Sequence, residues 1–243
     1  MKKVIISNQK LSEMHTFYLK MITQEKTTRQ AFSERDYDEN AAIIGNIGNY
    51  FLAKEGKELV IDKYNKKVFK FLMLYFNGKQ EALEVFPDKN YSLKKNILLT
   101  GKPGTGKTLT MQIFSEYLKK TLNPLRFYNI GATELINFQK MHGHINPFTY
   151  NIERGGAFDG NPINLCLNDI GFSAQEQKSF GTDLKAIFDE FIYSRYEIWI
   201  NSGKRFHITT NLDGNDFKKM FDSRIIDRMK IFNVIAMEGD SRR

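Results

Sequence analysis

The chain has 243 residues, 41% of them hydrophobic and 26% charged, a composition typical of a soluble globular protein with one sizeable core. No apolar run is long enough to span a bilayer, the N-terminal stretch MKKVIISNQKLSEMH lacks a signal-peptide core, and the single cysteine, Cys166, excludes an internal disulfide and a cysteine-based zinc site, so we expect a cytoplasmic protein. The net charge of +8 favours polyanionic partners, nucleic acid above all.

The first 90 residues are predicted to form a small, mainly helical N-terminal region. Apolar residues recur at helical spacing near the start, at Leu11, Met14, Tyr18 and Met21. A clearer helix is predicted to begin at Asp62 as its N-cap and to end before Gly78, with apolar positions at Tyr64, Val68, Phe71, Leu72 and Tyr75. Gly45 and Gly48, inside AAIIGNIGNYF, argue against a helix there.

From about residue 93 the pattern changes to short strands that alternate with helices, which predicts a three-layer αβα domain with a parallel sheet over residues 91–243. The predicted strands are 96–100, 126–130, 163–168 and 205–210. A loop rich in Gly, Asn and Pro lies between the second and the third. It contains His142 and His144, but no third ligand type accompanies them, so we do not predict a metal site there.

The strongest motif is GKPGTGKT, which matches the phosphate-loop pattern G-x-x-x-x-G-K-[ST] in full, with an apolar strand before it and a helix-compatible run after it. Glycines let backbone N–H groups turn toward phosphate oxygens, and the helix start adds positive potential. Lys107 is predicted to reach the β- and γ-phosphates and Thr108 to ligate Mg²⁺. The predicted nucleotide-binding residues are Gly101, Lys102, Pro103, Gly104, Thr105, Gly106, Lys107, Thr108 and Leu109.

Two further segments leave alternatives open. The strand HITTNL ends at Asn211, which is either a hydrogen-bonding partner of the γ-phosphate or the attacking water, or simply a good turn residue. The segment FDSRIIDRMKIF, residues 221–232, is predicted to be helical, with Arg224 and Arg228 on one face. These arginines either reach into a neighbouring subunit's nucleotide site or form a solvated, ion-paired face, and spacing alone favours the second interpretation.

Taken in order, the phosphate loop, LNDIG, DEFIYSRYE, TTNL, SRIIDRM and GDSRR resemble the DnaC/IstB-like branch of AAA+ ATPases, the bacterial replicative-helicase loaders. The resemblance covers roughly residues 90–243. It implies an ATP-binding AAA+ domain of the ASCE type without a full C-terminal lid, an N-terminal region over residues 1–90 that docks a replicative DNA helicase, binding of single-stranded DNA, and self-association through an arginine supplied in trans.

The resemblance also assigns roles to individual positions. Lys107 and Thr108 match the Walker A residues, and Asn211 matches sensor 1. Arg228 matches the arginine finger, with Arg224 as its companion. Arg243, with Arg242 as the other candidate, matches the family's last arginine near the nucleotide.

In the family, this apolar strand ends in two acidic residues. In LCLNDIG the first of these two positions is Asn168 and only the second, Asp169, is acidic. In the alignment we prefer, which keeps Ile170 and Gly171 in place, Asn168 supports the metal and Asp169 activates water. In the other alignment Asp169 supports the metal, no acid follows it, and Glu176 is the nearest spare carboxylate. Both predict that Mg²⁺ and ATP bind but that hydrolysis is slow, since losing one charge-assisted contact costs roughly 1.5–3 kcal/mol, on the order of 10- to 100-fold in rate.

The function predicted from these features is that of an ATP-dependent helicase loader. The alternatives are an IstB-like transposition helper ATPase, a small-molecule P-loop kinase, which the motif order disfavours, and a non-hydrolysing nucleotide-bound adaptor. The loop at 141–160, with Arg154, Phe148, Tyr150 and Phe158, is either a DNA contact or an ordinary surface loop.

Overall fold

The computed structural model describes residues 36–150, 162–171, 178–179 and 182–242. The helices are α1 (Tyr37–Leu52), α2 (Lys66–Phe76), α3 (Lys107–Lys120), α4 (Ala132–His142), α5 (Leu184–Ser202), α6 (Gly214–Met220) and α7 (Ser223–Arg228). The strands are β1 (Asn96–Thr100), β2 (Tyr128–Gly131), β3 (Leu165–Ile170), β4 (Lys178–Ser179), β5 (Thr182–Asp183), β6 (Phe206–Thr210) and β7 (Phe232–Ala236). Short 3₁₀ turns cover Ala53–Glu55, Gln80–Glu84, Asn146–Phe148 and Met229–Ile231. None of the helices in these described ranges is long and apolar enough to cross a membrane.

The central sheet has five parallel strands in the order β2-β3-β6-β1-β7, while β4 and β5 form a separate antiparallel pair. Strand β6 therefore stands between β1, which leads into the phosphate loop, and β3, which carries Asn168 and Asp169. Parallel strands present their carboxyl ends at one edge, so this order brings the ends of β1, β6 and β3 together.

Helices cover both faces of the sheet, which confirms the predicted αβα layers. Alternate residues of β1 enter two different hydrophobic clusters, as the period-2 geometry of a strand requires. Ile97 and Leu99 belong to the cluster formed with α1, α2 and α3. Leu98 belongs to the cluster formed with α4, α5, α6 and α7. Cys166 is fully buried in the first cluster, and burial raises the pKa of its thiol.

Several predicted elements are confirmed with shifted ends. Strand β1 has the predicted bounds, whereas β2 and β3 begin two residues later than predicted, and β6 begins one residue later. The helix predicted over residues 221–232 is shorter in the structure, where α7 spans only six residues. Phe232 begins β7, a strand that was not predicted from the sequence. The predicted N-cap Asp62 is also wrong, since Asn65 is the N-cap of α2.

Helix α1 runs through both glycines that had argued against it. The close packing of Leu59 on α1 explains the presence of Gly48: a Cβ atom there would lie 2.4 Å from Leu59 Cδ2. The packing contact thus outweighs the modest cost of a glycine in a helix.

The described part of the N-terminal region shares one core with the rest of the domain. In the buried hydroxyl network of α3, Tyr117 donates to Asn40 Oδ1 of α1 at 2.7 Å and accepts from Asn77 Nδ2, just after α2, at 2.8 Å. Ile44, Leu72 and Phe114 lie in the same hydrophobic cluster. The boundary proposed near residue 90 therefore separates two sequence regions that pack against each other.

Candidate nucleotide-binding site

The phosphate loop connects β1 to α3 and turns through left-handed backbone conformations. Gly104 has φ 84° and Gly106 has φ 93°, values that side chains rarely tolerate. Helix α3 begins directly after Gly106, at Lys107. Its first turn therefore directs the positive end of the helix dipole into the loop, which is the geometry that binds phosphate.

Lys107 is 4% exposed, and its ammonium lies among oxygen atoms. Nζ donates to the carbonyls of Gly101 at 2.7 Å and Lys102 at 2.9 Å, and to Oδ1 of Asn211 at 2.7 Å. The structure thus brings together Lys107 and Asn211, two residues that are 104 positions apart in the sequence.

Thr108 and Asp169 form the second contact of the site. The Thr108 hydroxyl lies 2.9 and 3.0 Å from the two carboxylate oxygens of Asp169, to which it donates. Asp169 is exposed at the end of β3 and has φ 63°. A hydroxyl beside a carboxylate is a donor set that suits Mg²⁺.

The structure buries the side chain of Asn168, the residue that the preferred alignment assigned to the metal. Its side chain is 2% exposed and is engaged inside the sheet: Nδ2 donates to Asn129 Oδ1 at 2.9 Å, and Oδ1 accepts from the Thr209 hydroxyl at 3.3 Å. The geometry favours the other alignment, in which Asp169 is the metal-supporting residue. The next residue is Ile170, which is fully buried, and Glu176 lies outside the described residues.

A β-bulge explains how two neighbouring residues come to differ so much. Leu167 pairs with Ile208 and Ile170 pairs with Thr210, so that Asn168 and Asp169 together lie opposite Thr209. The backbone N–H of Asp169 donates to the Thr209 hydroxyl at 2.9 Å. Thr209 therefore holds both residues, and sequence reasoning missed it because a buried threonine in a strand carries no motif.

A cleft of about 1100 Å³ opens beside the phosphate loop. One wall is formed by predicted residues, from Gly104 to Leu109 together with Asp169. The opposite wall was not predicted, since it comes from the end of α1 and the chain that follows it, where no motif occurs: Phe51, Leu52, Lys54, Glu55, Lys57, Glu58, Leu59 and Val60. Leu109 is among the lining residues as expected, whereas Lys102 and Pro103 are exposed on the loop outside the lining.

The two arginines of α7 are not among the residues lining this cleft. Arg228 is half-buried, and its guanidinium lies 4.3 Å from the ring centre of Tyr193 and 5.1 Å from that of Tyr196 on α5. Arg224 is 77% exposed at its side chain and lies 3.5 Å from the carboxylate of Asp222. Arg228 is thus held by aromatic rings, and Arg224 extends into solvent.

The last predicted arginine, Arg243, lies outside the described residues. The other candidate, Arg242, is described and lines the cleft. Its guanidinium donates to the carboxylate of Asp62 at 2.9 and 3.1 Å. The structure therefore places Arg242 at the cleft.

The predicted DNA-contact loop is described only up to residue 150, so Arg154 and Phe158 lie outside the described residues. Phe148 packs edge-on against Phe138 at 5.1 Å between ring centres. The Tyr150 hydroxyl donates to Glu197 Oε2 at 2.7 Å, and this hydrogen bond raises the pKa of Tyr150. His142 and His144 are exposed beside Phe138, and the described residues contain no group of three or more metal-ligating side chains.

The parallel sheet and the glycine-rich loop between β1 and α3 define an αβα P-loop NTPase fold. No family profile matches the sequence, and no curated protein matches it. Among solved structures, the chain is similar to the DnaC helicase loader at 16% identity and a TM-score of 0.49, covering 74% of this chain and 93% of that one.

It is also similar to AMPPCP-bound DnaA from Aquifex aeolicus at 20% identity and a TM-score of 0.49, covering 75% of this chain and 48% of that one. For domain III of the Thermotoga maritima replication initiation protein DnaA the identity is 16% and the TM-score 0.49, covering 74% of this chain and 65% of that one. The chain thus spans about half of the Aquifex protein and about two thirds of the Thermotoga domain. All three likenesses concern the fold alone.

Proposed function

We propose that this chain is an ATP-dependent switch that binds ATP with Mg²⁺, hydrolyses it slowly, and helps to place a replicative hexameric helicase on single-stranded DNA. The contact between the Thr108 hydroxyl and the Asp169 carboxylate carries the nucleotide part of the proposal. The series of motifs that resembles the helicase loaders supports the choice of partners, and the net charge of +8 favours DNA.

The residues of the site fit a magnesium nucleotide. Thr108 and Asp169 would hold the metal, and Lys107 with the first turn of α3 would hold the phosphates. Bound Mg²⁺ supplies positive charge that neutralises the phosphate oxygens. Lys107 already lies between three oxygen atoms, including Oδ1 of Asn211, so Asn211 is positioned to orient the lysine at the phosphates.

The end of β3 also argues for slow turnover. The residue after Asp169 is Ile170, whose side chain belongs to the hydrophobic cluster on the other face of the sheet. No carboxylate can therefore act as a general base at that position, and general-base catalysis is typically worth about 10²–10⁴-fold. Slow hydrolysis suits a switch that turns over once for each loading event.

Two opposite substitutions at neighbouring positions test this assignment. Asp169→Asn removes the charge beside Thr108 at an exposed position, so we expect it to fold normally but to lose most Mg²⁺-dependent ATP affinity. Asn168→Asp replaces the amide that donates to Asn129, buries a carboxylate, and is expected to lower the free energy of unfolding by about 1–3 kcal/mol without raising turnover.

The measurements are ATP titration with and without EDTA, steady-state hydrolysis with and without single-stranded DNA, and urea unfolding. Faster hydrolysis in Asn168→Asp with unchanged stability would show that position 168 supports the metal, as in the alignment preferred from the sequence. Tight ATP binding with no turnover would leave a non-hydrolysing adaptor.

Helicase loading is tested by ATP-dependent assembly of a replicative helicase on closed circular single-stranded DNA. Preference for duplex DNA and stimulation of a transposase would instead indicate an IstB-like helper.

A further inference from the structure

The C-terminal segment 237–242 lies across the phosphate loop. The Met237 N–H donates to the carbonyl of Thr100 at 2.7 Å, and the Arg242 N–H donates to the carbonyl of Gly104 at 3.0 Å. The approach is close, because a Cβ atom on Gly104 would lie 2.3 Å from Ser241 Oγ. Gly104 therefore serves the packing of this segment as well as the turn of the loop.

The same segment is fastened to the α1–α2 linker, residues 53–65. The guanidinium of Arg242 donates from Nη2 to both carboxylate oxygens of Asp62. Gly239 packs on Tyr64, where a Cβ atom would lie 3.2 Å from Cγ. Since the linker also supplies the second wall of the cleft, Asp62 and Arg242 join that wall to the phosphate loop.

The Arg242 side chain lies between the Asp62 carboxylate and the cleft beside the phosphate loop. It lines the nucleotide cleft while its Nη2 is bonded to Asp62. Its Nε atom is buried and has no hydrogen-bond partner among the described residues. Such a guanidinium has donor capacity left for an oxygen-rich anion, and arginine binds phosphate in the same forked geometry as carboxylate.

We propose that Asp62 and Arg242 form a nucleotide-responsive latch, in which a bound nucleoside triphosphate takes the Arg242 guanidinium away from Asp62 and so releases the α1–α2 linker. The latch rests on the proposed nucleotide binding and adds to it a route by which occupancy of the cleft reaches the N-terminal region. Asp62 is then a positioning residue that competes with the phosphates for one arginine.

The balance of charge favours this exchange. The Asp62–Arg242 pair is partly open to solvent, with 34% and 28% of the side chains exposed, and such pairs are weak. A triphosphate carries several negative charges where Asp62 carries one, so it offers the guanidinium a stronger partner. Loss of the arginine need not unfold the linker, because Asp62 Oδ1 also accepts from the N–H groups of Tyr64 and Asn65.

Those backbone contacts supply a sharp test. Asp62→Asn keeps an acceptor for Tyr64 and Asn65 but removes the charge that holds Arg242. Because exposed ion pairs are worth up to about 1 kcal/mol, we expect ATP affinity, measured by titration with a fluorescent analogue, to rise about two- to fivefold. Glu58→Gln is the matched control for the loss of charge alone, since it removes one negative charge from the same linker, at a residue that lines the cleft, while Arg242 pairs with Asp62. It is expected to change the affinity much less.

The pairing itself is tested in the background of Arg242→Ala, which is expected to weaken ATP binding and to cancel the effect of Asp62→Asn. Amide hydrogen exchange gives a readout that is independent of affinity. Residues 58–65 are expected to exchange faster when ATP binds to the native chain, and equally fast in nucleotide-free Asp62→Asn.

The outcomes separate the latch from the proposed function. A native chain that binds no ATP would refute the proposed function. If the native chain binds ATP but Asp62→Asn and Glu58→Gln have equal effects on its affinity, the latch alone is refuted. The latch alone is also refuted if the effect of Asp62→Asn persists in the Arg242→Ala background. Exchange in residues 58–65 that ATP leaves unchanged would refute it as well.

Discussion

At the scale of single residues, the site depends on the bulge that separates Asn168 from Asp169. In a regular strand, neighbouring side chains point to opposite faces of the sheet. Without the bulge, Asp169 would therefore point to the face opposite Asn168, away from the phosphate loop. The bulge and the positive φ of Asp169 instead place its carboxylate on Thr108. Aspartate tolerates this conformation better than most residues.

His207 of β6 is fully buried against Phe76 and Phe127. Burial, and then the charges of Arg205 and Arg195, hold the pKa of His207 well below the ordinary value of 6.5. The unfolded chain thus takes up a proton near pH 6.5 that the folded chain does not. The free energy of unfolding is expected to fall as the pH drops below 6.5, by up to about 1.4 kcal/mol per pH unit from this residue.

Urea unfolding between pH 5.5 and 7.5 measures this slope. His207→Asn is the matched variant, because its amide oxygen can still accept from the Ile97 N–H, as Nδ1 does at 3.0 Å, but cannot titrate. The variant should show a flatter pH dependence than the native chain. Identical slopes in the two proteins would contradict the assignment.

At the scale of elements, helix α3 links the site to the N-terminal region. Its first two residues, Lys107 and Thr108, contact Asn211 and Asp169 and are the residues proposed to bind phosphate and metal. Ten residues after Lys107, the Tyr117 hydroxyl bonds to Asn40 of α1 and to Asn77 after α2. A shift of α3 on nucleotide binding would therefore move its hydrogen-bond partners on α1 and after α2. This is a second connection, besides the latch, between the site and the N-terminal region.

We expect Tyr117→Phe to lower the free energy of unfolding by about 1–3 kcal/mol, because it removes a buried partner of both Asn40 and Asn77. Tyr128→Phe is the matched control: this tyrosine on β2 is exposed, and surface substitutions of this kind usually change stability by no more than about 0.5 kcal/mol. Urea unfolding of both variants checks the prediction. Equal effects would show that the hydroxyl network contributes little to the packing of α1 and α2.

At the scale of the whole molecule, one cleft is shared by the phosphate loop, the α1–α2 linker and the C-terminal segment, while Arg224 and Arg228 lie outside its lining. We propose that an arginine of α7, if it acts on a nucleotide, acts on that of a neighbouring subunit. The aromatic rings of Tyr193 and Tyr196 would hold Arg228 in a defined position for that purpose, whereas Arg224 has no such support.

Mixing of inactive subunits tests this proposal. Lys107→Ala removes the phosphate contact of its own site but keeps Arg228, and Arg228→Ala does the reverse. Each variant alone is expected to hydrolyse no ATP, and the mixture is expected to regain a measurable part of the native turnover, since some sites then have both groups. A parallel mixture with Arg224→Ala shows which arginine is required. A mixture that stays inactive would indicate that Arg228 serves only to pack α7 on α5.

The sequence by itself determined the fold class, most of the strands and the phosphate loop, because these depend on local patterns: period-2 apolar runs, glycines at fixed spacing, and a lysine and threonine at a helix start. It also put Asn211 and the end of β3 near that loop. It failed for β7, whose short run FNVIA follows α7 after only a 3₁₀ turn, and for α1, where two glycines argued against a helix.

The tertiary structure alone decided which of two neighbouring side chains, Asn168 or Asp169, lies beside Thr108, that Arg242 lines the cleft, and what forms the second wall of the cleft. Each answer depends on contacts between residues far apart in the chain: Thr209 with Asn168 and Asp169, Asp62 with Arg242, and the α1–α2 linker with the phosphate loop. Local patterns cannot encode these contacts, because a bulge, an ion pair and a cleft wall arise only when separate elements pack together.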